Sequence, residues 1–376
     1  FMKNSRRASG ILLPIFSLPS NYGVGTFGKE AYAFVDMLKN AEQQYWQILP
    51  LCPTSFGDSP YQSFSTFAGN SYFIDLELLI SEGLLSKEEC DAVDFGENHS
   101  SIDYEKLYFG RYPLLKKAFA KSNLRKTQDF MMFKRQNASW LQDYCLYMAV
   151  KGRFNNVSWL EWDDDIKSRQ PDAVKRYTGE LAEEIEFHRF LQYYFTKQWS
   201  ALKEYANING IKIIGDLPIY VAMDSTDVWS NPSMFLLDER LNPQKVAGVP
   251  PDCFSNEGQL WGNPLYNWKS HEQDKYRWWI KRIEYAARLY DTLRIDHFRG
   301  FDAYWSVPYG EKNAVNGEWC KGPGLDLFRR IKKRLGNVNI IAEDLGVQTD
   351  SLHTLLSKTG FPGMKVIQFG FSNGGE

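Results

Sequence analysis

Two short segments carry the residues best suited to making and breaking bonds. In LRIDHFRG, residues 293–300, Arg294 and Asp296 stand two apart at the end of an apolar run. Side chains at i and i+2 of a strand share a face. The guanidinium and carboxylate therefore point together, while Leu293, Ile295 and His297 face the other way until the strand ends. A guanidinium beside a carboxylate favours the ionised form that a nucleophile requires. In NIIAEDLG, residues 339–346, an apolar run leads into Glu343 and Asp344. A carboxyl emerging from such a strand is desolvated, which raises its pKa toward that of a general acid. One carboxylate kept ionised and one kept protonated are the minimum equipment for cleaving a glycosidic bond. The same residues also admit structural readings: an Arg–Asp ion pair closing a strand end, and a helix cap or loop contact by Asp344.

The elements that must position these groups repeat a simple rhythm. Short apolar runs recur, followed by turn residues and often by a helical period, as in βα units. Six read as strands: GILLPIF near 10–16, YWQILPL at 45–51, IKIIGDLPIYV at 211–221, TLRIDHF at 292–298, NIIAEDL at 339–345 and MKVIQF at 364–369. Their near-continuous hydrophobicity fits parallel strands covered on both faces. Ala31, Phe34, Val35 and Leu38 form a helical stripe after a predicted Thr26 cap, and Tyr276, Trp279, Ile280, Ile283, Ala287 and Tyr290 form another before the fourth strand. Residues 77–200 read as an inserted helical subdomain between barrel-type parts at 1–76 and 201–376. Residues 222–270, rich in Pro, Asn, Gly and Asp, read as active-site loops. Asp216, Arg294, Asp296, Glu343 and Asp344 all fall where strands end. That is where parallel α/β folds of either the barrel or the open-sheet kind place their sites.

Other patterns are weaker. GVGTFG, residues 23–28, matches the dinucleotide fingerprint, but Ser17–Tyr22 separate it from its strand and the next strand ends in LPLCP without an acid. GDSPYQSFSTFAGN, 57–70, and PPDCFSNEGQLWGNPLY, 250–266, are polar loops studded with aromatics. Tyr61 and Trp261 there suit stacking on sugars, and Asp58, Asp252 and Asn263 suit bonds to hydroxyls. The five histidines show no metal-ligand spacing and Asp163–Asp165 lacks calcium-loop spacing, so no metal is expected.

The bulk composition agrees with an enzyme. The 376 residues, 43% of them apolar, suffice for a large core, and a formal charge of -2 disfavours nucleic acid as a partner. Five scattered cysteines without a C-x-x-C pair read as reduced thiols, hence a cytoplasmic location. Lys3, Arg6 and Arg7 before ILLPIFSLP imitate a secretion signal, but Pro14, Pro19 and the lack of a small-x-small site argue against one. No run is long enough to span a membrane. Oligomeric state leaves no signal.

LRIDHFRG, AEDLG, GDSPYQSFSTFAGN, GDLPIYV, WGNPLY and FPGMKV, in this order and spacing, resemble amylomaltases, the bacterial 4-α-glucanotransferases related to plant disproportionating enzymes. The resemblance runs from about residue 8 to the end and is least distinctive in the helical insert. It implies an α/β fold of the (β/α)8 TIM-type barrel kind. It also implies a cofactor-free, retaining double displacement on α-1,4-glucans, with glucose or a glucan as acceptor. Asp296 would be the nucleophile and Glu343 the acid/base. Arg294 would hold Asp296, Asp216 and His297 would bond the sugar under attack, and Tyr61 would stack beneath it. Ser59, Trp261 and Asp344 would add contacts, and 250–262 would form a gate. Where many members carry an aromatic in that gate this chain has Cys253, with Phe254 and Asp252 beside it. The family's third carboxylate, an Asp in a His-Asp-Asn segment, is not found before Glu376, which leads to the expectation that the chain is a fragment of a longer protein. An α-amylase-like hydrolase and a non-catalytic glucan-binding protein are the competing readings.

Overall fold

The computed structural model describes residues 7–55, 57–96, 100–253 and 255–371. The chain divides into two compact units, residues 1–213 with 224–230, and residues 214–223 with 231–376. The first unit is therefore larger than the 77–200 insert read from sequence, because the helices pack together with the elements that precede them.

In the first unit, β1 (Gly10–Leu12) and β2 (Tyr45–Gln47) pair in parallel. The helix Lys29–Asn40 between them buries Ala31, Val35 and Leu38. Its N-cap is Gly28 rather than the expected Thr26. The Thr26 hydroxyl instead donates to Asp75 Oδ2 at 2.6 Å, and a Cβ on residue 28 would lie 2.1 Å from that same oxygen. Among the described residues no strand lies between Leu76 and Ile208, a stretch dominated by helices. The longest, Ala182–Ile208, buries Phe187, Phe190, Phe195 and Trp199. Two buried amides on this helix grip the chain that leads away from the 57–70 loop. Gln192 accepts the N–H of Gly69 at 2.7 Å and donates to its carbonyl at 2.8 Å. Gln198 does the same to Asp75, at 2.7 and 3.3 Å. Segment 224–230 is tied to the helices by Asp224, which receives the buried Lys151 ammonium and the Tyr147 hydroxyl, each at 2.5 Å.

β3 (Lys212–Pro218) starts in the first unit and runs into the second. The second unit continues with β4 (Lys245–Val249), β5 (Gln259–Pro264), β6 (Thr292–Asp296), β7 (Ala303–Pro308), β8 (Glu318–Lys321) and β9 (Ile340–Ala342). β6 pairs in parallel with β3 on one side and β9 on the other. The helix Arg277–Leu289 leads into β6, burying Trp278, Trp279, Arg282, Ile283 and Ala286. The helix Leu325–Leu335 precedes β9.

Two expectations need correction. Residues 222–270 are not all loop: β4 and β5 form an antiparallel hairpin within them. That hairpin joins β7 and β8 in a four-stranded sheet of order β5-β4-β7-β8. MKVIQF is not a sixth strand, since residues 364–366 form no element and Ile367–Phe371 is a short 3-10 helix. Ala342 does donate its N–H to Pro362 O at 2.9 Å. The next donor, Met364 N–H, goes to the Asp344 side chain at 2.8 Å instead of to a carbonyl, so no ladder propagates. No helix of the described residues is long and apolar enough to cross a membrane.

Candidate active site

β6 alternates as its sequence dictates: Leu293 and Ile295 are buried, and Arg294 and Asp296 share the opposite face. The register sets Asp216 beside Arg294 and Pro218 beside Asp296. Arg294 Nη1 therefore bridges two carboxylates, Asp216 Oδ1 at 2.6 Å and Asp296 Oδ1 at 2.9 Å. The two ends differ in access, because the Asp216 side chain is 2% exposed and that of Asp296 31%. Asp216 is thus a fixed anchor for the guanidinium, and Asp296 is the carboxylate left open to a ligand. The far side of Arg294 is fixed as well, its Nε donating to Met364 Sδ at 3.3 Å.

Glu343 follows β9 directly. Burial pushes its pKa above the ordinary carboxyl value, and the negative charge of Asp296 adds to the rise. The N–H groups of His297 and Leu345 and the charge of Arg294 act the other way. The two carboxyls thus differ in environment as glycosidic chemistry requires, one held by a guanidinium and one pushed toward its neutral form.

Side chains above these strand ends form an aromatic wall. His297 packs edge-on against Trp261 with ring centroids 4.8 Å apart, and Tyr220 lies 6.2 Å from Trp261 and 6.4 Å from His297. Burial, helped by the charge of Arg299, lowers the His297 pKa to about 4. The imidazole is therefore neutral near pH 7 and has one donor and one acceptor for sugar hydroxyls. Sequence reasoning missed Tyr220, although it lies on the period-two face of Asp216 and Pro218 in GDLPIYV. It also missed Arg282, a fully buried guanidinium that binds the carbonyls of Pro218 and Ile219, the latter at 2.8 Å.

The remaining candidates are distributed as follows. Asp344 is buried and its Oδ1 accepts Met364 N–H, the loop contact foreseen as its structural reading. Asn263 is buried and donates to Val221 O at 2.9 Å. Asp252 is exposed at the tip of the β4–β5 hairpin, where its Oδ1 accepts Ser255 N–H at 2.8 Å. Phe254 lies outside the described residues. Ser59 and Tyr61 belong to the other unit, half-buried, with Tyr61 N–H donating to Ser59 Oγ at 3.2 Å. Among the described residues no group of three His, Cys, Asp or Glu is placed to hold a metal ion.

The profile of the 4-alpha-glucanotransferase family matches residues 13–376. The chain belongs to that family. It is 53% identical over 95% of its length to the 4-alpha-glucanotransferase of Clostridium butyricum, and 48% identical over 98% to that of Thermus thermophilus. The chain spans 74% of the length of each. Among solved structures it is similar to the amylomaltase from Streptococcus agalactiae in complex with acarbose. The TM-score is 0.95 at 49% identity, covering 98% of this chain and 75% of that one. The fold is therefore α/β, of the TIM-barrel kind, and the activity is 4-α-glucan transfer. Five parallel strands, β1, β2, β3, β6 and β9, belong to it among the described residues, rather than the six expected.

Proposed function

We propose that the protein moves a segment of an α-1,4-glucan, such as a maltooligosaccharide, starch or glycogen, to the 4-hydroxyl of another glucan or of glucose, by two displacements at one anomeric carbon. Asp296 attacks that carbon and forms a covalent glycosyl-enzyme while Glu343 gives its proton to the departing oxygen. Glu343 then takes the proton of the acceptor hydroxyl, which displaces Asp296. Each proton and each electron pair is returned over the cycle, so no cofactor is consumed.

The observation that carries this reading is the shared guanidinium: Arg294 holds Asp296 at 2.9 Å beside a Glu343 whose burial favours the protonated form. Asp216, His297, Trp261, Tyr61 and Ser59 are assigned to sugar binding, with Asp344, Asp252 and Phe254 contributing around them. Three readings rest on sequence: residues 77–200 as an inserted subdomain, 250–262 as a gate that excludes water and so favours transfer over hydrolysis, and a cytoplasmic setting. The acarbose bound by the Streptococcus agalactiae relative supports an α-glucan-shaped site here.

Incubation with maltotriose tests the proposal. Glucose and a ladder of longer maltooligosaccharides at constant total reducing ends is the expected result. Rising reducing ends without longer products would make the reaction hydrolysis, and unchanged maltotriose would remove the assignment of Asp296 and Glu343 as a working pair.

A further inference from the structure

The ladder between β6 and β9 breaks at one residue, and the break has a chemical consequence. Glu343 donates its N–H to Ile295 O at 3.0 Å. In a regular parallel ladder the carbonyl of Glu343 would next receive the N–H of residue 297, two beyond Ile295. It receives that of Phe298 instead, at 2.9 Å. The surplus residue is His297, which lies in the left-handed region with φ 51° and ψ 46°. A non-glycine residue adopts this conformation only where its surroundings impose it. The result is a bulge at the end of β6, a device that re-aims groups beside functional sites. The group re-aimed here is part of the main chain. The N–H of His297 leaves the ladder and donates to Glu343 Oε2 at 2.7 Å, while Glu343 Oε1 accepts Leu345 N–H at 3.0 Å. Gly300 N–H closes the turn on His297 O at 3.0 Å.

Taking Glu343 as the acid/base of the reaction proposed above, we infer that the main-chain N–H of His297, set by this bulge, orients the Glu343 carboxyl and fixes the pH at which it releases its proton. This function is separate from any contact the imidazole makes with sugar. A group that is acid in one half-reaction and base in the next works best with its pKa near ambient pH. Burial and the Asp296 charge both drive it upward, and a donor that binds only the ionised form more strongly acts against them. A main-chain donor suits this task because it cannot titrate and cannot rotate away. The other charged groups on neighbouring elements are Asp216, Arg294, Arg299 and Asp344, with the exposed Lys365 on the segment beyond. Their charges are unchanged by removal of one N–H.

The experiment replaces residue 297 by the α-hydroxy acid analogue of histidine, turning the amide into an ester that keeps the imidazole and lacks the N–H. kcat/KM for maltotriose is then followed against pH. The alkaline limb, where the acid must be protonated, is expected to move up by about one pH unit, the worth of one hydrogen bond to a charged group. His297→Gly adopts the left-handed conformation without strain, so it should lower kcat/KM at every pH and leave the limb where the wild type has it. A limb unmoved in the ester overturns the inference, as does a limb displaced in His297→Gly as far as in the ester, which would assign the effect to the imidazole. Glu343→Gln keeps the two failures apart. If it retains both transfer and the limb, Glu343 is not the acid/base; if it loses both while the ester is silent, only the inference about His297 falls.

Discussion

Replacing Arg282 by methionine tests how the end of β3 is held. The guanidinium is 2% exposed and donates to Ile219 O at 2.8 Å, to Pro218 O, and to the Tyr266 hydroxyl at 3.3 Å, with the Trp279 and Trp278 rings 4.8 and 5.5 Å away. Methionine refills the aliphatic stem. Ile219 O keeps the Tyr266 hydroxyl at 2.7 Å, but Pro218 O loses this donor. Loss of a charged donor at this part-buried carbonyl costs about 1–3 kcal/mol. The lost cation–ring contacts add roughly 0.5–2 kcal/mol. Relief of the buried charge returns part of this, leaving about 3 kcal/mol of destabilisation. For a cooperative unit of this size that is a fall in Tm of about 6–12 °C. Function should suffer separately, because Pro218 is the register partner of Asp296, Asp216 lies two residues before it and Tyr220 two after it. A displacement of about 1 Å there would lower kcat for maltotriose by roughly 100-fold. Differential scanning calorimetry and initial rates below the transition measure the two effects. If Tm falls while kcat and KM stay at wild-type values, Arg282 stabilises the unit without positioning the site. If neither moves, the reasoning about the strand end is wrong.

The buried histidines predict acid sensitivity. Burial lowers the pKa of His188 to about 3 and that of His271 to about 4, so the native state binds fewer protons than the unfolded chain below pH 6.5. The stability they support is therefore complete above pH 6.5 and is lost as pH falls. In denaturant unfolding these two histidines should account for a loss of about 3–4 kcal/mol between pH 7 and 5, of which His271→Gln removes about half. Gly363→Ala would place its Cβ 2.5 Å from Asp344 Oδ2. It should displace that carboxylate from Met364 N–H and, through Met364 Sδ on Arg294, slow transfer in the maltotriose assay, whereas full activity at unchanged Tm would show that the segment yields freely. Glu343→Gln should lower kcat by roughly 100-fold or more. Its melting temperature should not rise, because both Glu343 oxygens accept main-chain N–H groups and an amide must turn its NH2 toward one of them.

Much of the site was legible in the sequence because it follows from period two. Asp216 and Pro218 on one strand, and Arg294 and Asp296 on the next, share faces by alternation alone, and the apolar lead into Glu343 announced its desolvation. The structure departs from expectation where a distant partner decides. Thr26 reads as a cap until Asp75 takes its hydroxyl. MKVIQF reads as a strand until Asp344 takes the donor that would have continued a ladder. KVAGV and AYWSVP have strand composition, yet their antiparallel sheet was lost among the Pro, Asn and Gly around them. The bulge at His297 leaves only a weak local mark, since histidine enters the left-handed region more readily than most residues but here does so because its neighbours impose it.

The paired glutamines of the long helix have a consequence for how the first unit opens. Gln192 and Gln198 stand six residues apart, as do Gly69 and Asp75, and six residues of helix rise about 9 Å, less than half the reach of six extended residues. Each amide receives and gives a hydrogen bond as a neighbouring strand would, so a segment without sheet partners is read out by a helix acting as a ruler. Its main chain should then exchange its amide hydrogens on the clock of the helix rather than on that of a loop. Protection at Gly69 and Asp75 would rise and fall with Ala182–Ile208. A single Gln192→Ala exchange would release Gly69 alone, leaving Asp75 as slow as before.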